Sequence, residues 1–175
     1  MMMMRTWLVV MILLCFFIDV HHANPDDFYS HCRSGDYTAV KGFLDSGKYT
    51  VTSRDAKGNT GIIIAAGRGQ IEIVKMLLSY GASAEDYSTA GIFEGKNALH
   101  WAASQGRAET VAILVQSGAN PQKSSDRGVF AGKNALMWAS SQGRYDVVKL
   151  LLSAGVDPNF TSNSGSFKGK TSLMW

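Results

Sequence analysis

The sequence predicts an all-α solenoid of helix-turn-helix units joined by β-hairpin loops, and three observations lead there. First, a decapeptide is written again and again. Asn97-Ala98-Leu99-His100-Trp101-Ala102-Ala103-Ser104-Gln105-Gly106 returns 37 residues later as Asn134-Ala135-Leu136-Met137-Trp138-Ala139-Ser140-Ser141-Gln142-Gly143. It begins once more at Thr171-Ser172-Leu173-Met174-Trp175, and Thr60-Gly61-Ile62-Ile63-Ile64-Ala65-Ala66-Gly67-Arg68-Gly69 is a diverged copy upstream. Second, the glycines Gly35/Gly47, Gly69/Gly81, Gly106/Gly118 and Gly143/Gly155 form pairs 12 residues apart. Third, each pair encloses apolar residues at i, i+3, i+4, the stripe of an amphipathic helix. Self-similarity with a period of roughly 20–50 residues marks an array, in which no unit buries its apolar face alone and stacking makes one core.

The first thirty residues differ in kind. Arg5 precedes an apolar run, residues 7–18, that Asp19 closes. A basic start followed by about 12 apolar residues fits a secretory signal, and it is shorter than the ~20 residues needed to span a bilayer. Residues 1–23 therefore read as a signal peptide cleaved after Ala23, or as an uncleaved anchor, in which case the protein is held at a membrane. Either sends the chain out of the cytosol, to the exterior, a periplasm or a secretory lumen. Cleavage removes Arg5 and Asp19 together, so the formal charge stays at +3. That charge is too weak to point to a nucleic acid. It also leaves Cys32 as the lone cysteine, so no internal disulfide is available and packing must hold the fold. The histidines and cysteines are too scattered for a metal site.

Residues 24–58 form a degenerate capping repeat. Phe28 stands where Leu99 does, Cys32 where Ala103 does and Gly35 where Gly106 does, which makes Cys32 a small core residue rather than a reactive thiol. Full repeats follow at 59–95, 96–132 and 133–169, and residues 170–175 open a further one. In each, a short helix rich in small residues (Ala65, Ala66, Ala102, Ala103, Ala139, Ser140) lets neighbours approach closely. A longer helix then carries the stripe: Val40, Phe43 and Leu44; Val74, Leu77 and Leu78; Val111, Leu114 and Val115; Val148, Leu151 and Leu152. The second glycine of each pair suits a helix C-cap with positive φ.

The loops repeat as well. Gly91-Ile92-Phe93-Glu94-Gly95-Lys96 matches Gly128-Val129-Phe130-Ala131-Gly132-Lys133 and Gly165-Ser166-Phe167-Lys168-Gly169-Lys170. The first loop, residues 54–60, lacks this segment, so the step from Gly35 to Gly69 is 34 residues and the later steps are 37. Solenoids place such insertions on one face, often the binding face.

These residues resemble the ankyrin repeat, whose pattern runs Asp-x-x-Gly-x-Thr-Pro-Leu-His-x-Ala-Ala-x-x-Gly and then an amphipathic helix ending Leu-Leu-Leu-x-x-Gly-Ala-Asp. Residues 55–69 keep its frame with Gly61 for proline and Ile63 for histidine. Residues 97–106 keep leucine, His100, both alanines and the glycine, and Met137 and Met174 replace the histidine later. The resemblance covers roughly residues 26–175. It implies a non-enzymatic scaffold that binds a protein or peptide on its concave side, without cofactor, metal, nucleic acid or small-molecule substrate. It also makes His100 structural, bonded to backbone at the loop entry.

Several motifs need weighing. Gly169-Lys170-Thr171 imitates the end of a phosphate loop, but Ser164 stands where the first glycine belongs, and the same spacing recurs at Gly128 and Gly91; it reads as a turn entering a helix. Trp101, Trp138 and Trp175 form a ladder that either stacks as core between short helices or grips a ligand. Phe93, Phe130 and Phe167 form a second ladder, which either stiffens the hairpins or offers an apolar contact strip. Lys96, Lys133 and Lys170 accompany it and read as a solvated face, or, paired with the phenylalanines, as a surface suited to an acidic, apolar peptide. With Ser104, Gln105, Ser141 and Gln142 at the ends of the short helices, these phenylalanines and lysines make up the expected partner-binding set. On that reading Phe130→Ala weakens binding and leaves stability nearly unchanged. Asn159-Phe160-Thr161 is a sequon, so Asn159 is a candidate glycosylation site. Two rival functions stand beside the scaffold: the recognition part of a longer protein whose effector domain lies beyond Trp175, and a binder of anionic surfaces or glycans.

Overall fold

The computed structural model describes residues 27–162 and 164–174; the expected signal peptide and Trp175 lie outside them. The described chain forms four helix pairs: α1 (Phe28–Ser34) with α2 (Tyr37–Asp45), α3 (Gly61–Arg68) with α4 (Ile71–Ser79), α5 (Ala98–Gln105) with α6 (Ala108–Gln116), and α7 (Ala135–Ser141) with α8 (Tyr145–Ser153). Two single 3-10 turns, Gly165–Phe167 and Ser172–Met174, follow.

Local chemistry starts and stops each helix. Asp27 caps α1 by accepting from Tyr29 N–H, and Asp36 caps α2 by accepting from Ala39 N–H. Asn97 and Asn134 do the same for α5 and α7, accepting from His100 N–H at 2.8 Å and Met137 N–H at 2.9 Å. Such caps satisfy amides that the helix leaves unpaired. The longer helices α4, α6 and α8 have no side-chain cap and carry Glu72, Glu109 and Asp146 in their first turns, where the helix dipole favours an anion. Each second glycine follows the helix end by one residue with positive φ, as the stripe spacing predicts: Gly47, Gly81, Gly118 and Gly155 at 69°, 87°, 93° and 81°. The first glycines also adopt it, and Gly35, Gly69 and Gly106 are themselves C-caps.

Short helices form the inner row. α3 packs against α5 and α5 against α7 along much of their length, whereas α4, α6 and α8 touch one another less. The difference follows from side-chain size. Ala65, Ala66, Ala102, Ala103 and Ala139 are fully buried between the inner helices, so these come together closely and the array curves toward them. Ile62, Leu99 and Leu136 from the inner row meet Val74, Leu77, Val111, Leu114 and Leu151 from the outer row in one continuous core. Fully burying a side chain of this size contributes roughly 1.5–3 kcal/mol. The stripe needs one correction at its end. In α8 Val147 is fully buried, Val148 is only partly buried, and Leu152 is 42% exposed.

The degenerate first unit is sealed by rings. Phe28 stacks on Tyr49 with centroids 5.0 Å apart and meets Tyr29 and Phe43 edge-on. Cys32 is fully buried among the core residues, and burial pushes its thiol up to about 12. The β-hairpins reduce to a single bridge each among the described residues: Arg54 with Thr60, Tyr87 with Asn97, and Ser124 with Asn134.

Candidate functional site

The inserted loops hold one geometry in each repeat. Ser88 N–H donates to Lys96 C=O at 3.0 Å and Gly95 N–H donates back to Ser88 C=O at 2.8 Å. Ser125 with Lys133 and Gly132, and Ser162 with Lys170 and Gly169, repeat the pair. The tips then press together. Gly128 has φ of 70°, and a Cβ there would lie 2.7 Å from the Glu94 carbonyl oxygen; at Gly165 it would lie 2.6 Å from that of Ala131. No other residue fits between tips this close.

This close approach stacks the phenylalanines. Phe93 lies parallel to Phe130 with centroids 5.5 Å apart, and Phe130 parallel to Phe167 at 6.1 Å. Phe93 also turns toward Trp101 at 4.9 Å and Phe130 toward Trp138 at 5.0 Å, each the tryptophan of the short helix that follows its loop. The two aromatic ladders are thus one column, its rings in contact from one loop tip to the next.

Lysines run through the column, contrary to the expectation of a solvated face. Lys96 and Lys133 are each 3% exposed. The Lys96 ammonium sits between two indoles, 3.8 Å from the Trp101 ring centre and 3.9 Å from that of Trp138, with Phe93 at 5.2 Å. Lys133 repeats this one step on, 4.5 Å from Trp138 and 5.0 Å from Phe167. The tryptophans therefore carry a cation between them instead of packing ring on ring. Each lysine stem spans the rings and its charge meets their electron-rich faces, an attraction of about 0.5–2 kcal/mol per ring. Lys96 Nζ donates to Ser104 Oγ at 2.9 Å, and that hydroxyl donates to the Trp101 carbonyl. Lys133 reaches Ser141 Oγ at 3.2 Å, which donates to the Trp138 carbonyl. Burial, with the Lys133 charge adding to it, pushes Lys96 down to about 7. Burial and the Lys170 charge push Lys133 down to about 8. The indole faces act in the opposite sense, since they favour the cation.

The expected partner-binding set thus divides. Lys96, Lys133 and Ser104 are buried and Ser141 is half-buried, all engaged inside the column. Phe93, Phe130 and Phe167 are half-buried by one another and by the indoles; Gln105, Gln142 and Lys170 are exposed. Asn159 is exposed too, in the turn after α8. His100 is structural. Its Nε2–H donates to the Lys123 carbonyl at 3.0 Å while Nδ1 accepts from Asn97 N–H at 3.3 Å. Burial pushes it down to about 4, so the ring is neutral in this tautomer. The described residues include no group of three metal-ligating side chains and no helix long and apolar enough to cross a membrane.

Two features were not anticipated. Ile92 and Val129, each just before a phenylalanine, stand 65% and 59% exposed at successive tips. Their signal lies in the loop repeat, where Ile92 and Val129 occupy the same position. The other is a cleft of about 550 Å³ where the first loop meets the second, with Phe93, Trp101, Ile63 and Ile64 among its lining. The shorter first loop announced it.

A curved array of paired helices with stacked loop tips on one side is a repeat scaffold. The family model for ankyrin repeats, in three copies, matches residues 28–126 and residues 92–162, and the chain belongs to the ankyrin-repeat family. Ankyrin repeats are generally protein–protein interaction modules, and the chain is a module of that class.

Proposed function

We propose that this module holds a protein or peptide partner along the inner side of its curve, with the loop tips as the leading contact. The observation that carries the reading is the exposure of Ile92 and Val129 at neighbouring tips on a column that is otherwise packed and hydrogen-bonded. Isolated exposed aliphatics are ordinary, but two in register on loops of fixed geometry form a strip that a partner can cover without first ordering it. Gln105 and Gln142, exposed at the ends of α5 and α7, supply polar contacts beside it. The half-buried phenylalanines contribute their edges, and the buried lysines and serines act by keeping the column rigid.

A protein partner fits better than a nucleic acid, because Lys96 and Lys133 are withdrawn from solvent and are not offered to a phosphate backbone. Export belongs to the proposal and rests on residues 1–23 alone; N-terminal sequencing of exported protein should begin near Asn24. The test of binding is affinity for a partner captured from the exported fraction and then purified. Val129→Asp should weaken it about tenfold or more, roughly 1.4 kcal/mol, at unchanged thermal stability. Unchanged affinity in both Val129→Asp and Ile92→Asp would place recognition elsewhere.

A further inference from the structure

The aromatic column has an open end. Phe93 is covered on one side by Phe130, and Lys96 lies between Trp101 and Trp138. On the other side, toward α3, the repeat supplies no matching rung. The loop of residues 54–60 is three residues shorter than its successors and has no phenylalanine. Ile64 stands where a tryptophan would be, Asn59 where the lysine would be, and Gly67 where the serine would be. Asn59 is occupied elsewhere, donating to Asp55 Oδ2 and accepting from Ser88 Oγ. The space of the missing rung is the cleft of about 550 Å³, floored by Ile63, Ile64 and Gly67 and walled by Phe93 and Trp101.

Its rim is mostly cationic. Arg33, Lys57, Arg68 and Arg107 line it, all exposed, and none of the four pairs with a carboxylate among the described residues. The rim's carboxylate, Asp55, is engaged in its own turn, accepting from Lys57 N–H, Asn59 N–H and the Asn59 amide at 2.9, 2.8 and 3.2 Å. An apolar slot ending a ring stack, inside a ring of unpaired cations, selects an aromatic side chain flanked by carboxylates. We propose that the cleft beside α3 is the anchor pocket for an acidic segment of the partner, whose aromatic side chain completes the column against Phe93 and Trp101. This inference rests on the reading of the inner side as the recognition surface, and it names the partner's chemistry. Rings and cations also suit single-stranded nucleic acid, but that ligand needs cations strung along a groove, and here they surround one end of the column.

The experiment measures polarisation of a fluorescein-labelled, capped pentapeptide, tryptophan at its centre and glutamate at the other four positions, titrated with the whole chain at low ionic strength. Saturable binding is expected. It should weaken about tenfold or more when the central tryptophan becomes alanine, in the variant Arg33→Glu/Arg68→Glu, and in Ile64→Trp, which fills the slot with the array's own missing ring. Salt should weaken it as well, since the rim is solvent-exposed. The charge-reversal variant alters only surface groups, so it decides the matter even if Ile64→Trp does not fold. Val129 is not among the cleft's lining residues, so Val129→Asp should bind the probe like the unaltered chain. No binding by about 1 mM, equal binding by all variants, or tighter binding of a ten-nucleotide oligothymidine would each overturn the proposal. A purified partner that loses affinity on Val129→Asp but keeps it in both cleft variants would overturn the pocket and leave the tip surface standing.

Discussion

Replacing Lys96 with methionine should change the pH dependence of folding more than the stability at any one pH. In the folded chain the ammonium is 3% exposed, with one hydrogen bond to Ser104, and burial pushes it from 10.5 down to about 7. Because the folded pKa lies below the unfolded one, the unfolded state binds more protons between those values, and stability rises with pH across that window. Below about pH 7 both states carry the proton and the penalty for a buried charge is present in full. A displacement from 10.5 to about 7 corresponds to about 5 kcal/mol at about 1.4 kcal/mol per pH unit. Attraction to two indole faces offsets about 1–4 kcal/mol of it, leaving a net rise of about 1–4 kcal/mol. Methionine has similar reach, fills the space between the rings and carries no proton. The variant should therefore be more stable than the parent near pH 6, by roughly 1–3 kcal/mol, as when a buried ion gives way to an apolar residue that packs. The difference should narrow toward pH 9. Urea unfolding followed by far-UV circular dichroism from pH 6 to 9 measures both curves. Some slope should persist in the variant, because Lys133, pushed down to about 8, titrates in the same sense. Parallel curves for the two chains would refute the reasoning, since they would mean Lys96 holds its proton equally in both states.

Two further predictions concern the column. Phe130→Ala should destabilise the chain by about 1–3 kcal/mol, because the half-buried ring stacks on Phe93 and Phe167 and meets Trp138. This reverses the expectation from sequence that its loss would spare stability, and an unchanged urea midpoint would restore that expectation. Gly128→Ala combines a φ of 70° with a Cβ 2.7 Å from the Glu94 carbonyl; it should lower stability by about 1–3 kcal/mol, and a thermal midpoint equal to the parent's would show that the tips have room to part.

Helix positions and most of the core stripe were legible in the chain itself, each for a local reason. A 37-residue period, a capping asparagine, a glycine one step past a helix end and apolar residues three and four apart are properties of short segments, and neighbouring units impose the same geometry on each copy. The stripe's exception falls in α8, where Val148 is partly buried and Leu152 exposed.

What sequence could not decide was which side of each loop residue meets its neighbour. Phe93 and Lys96 are three residues apart and equally suited to a surface strip; Phe93 is covered by Phe130, thirty-seven residues away, and Lys96 by Trp138, over forty residues away. Lysine ordinarily takes water, and only a slot with an indole on each side makes burial tolerable. Lys96, Lys133 and Ser104 hold the column together inside, whereas Ile92, Val129 and the cations around Ile64 face solvent. Local pattern determined the repeat, because its forces act within a few residues. The distribution of contact surface was decided by tertiary packing, because it depends on how one repeat's rings fit over the next.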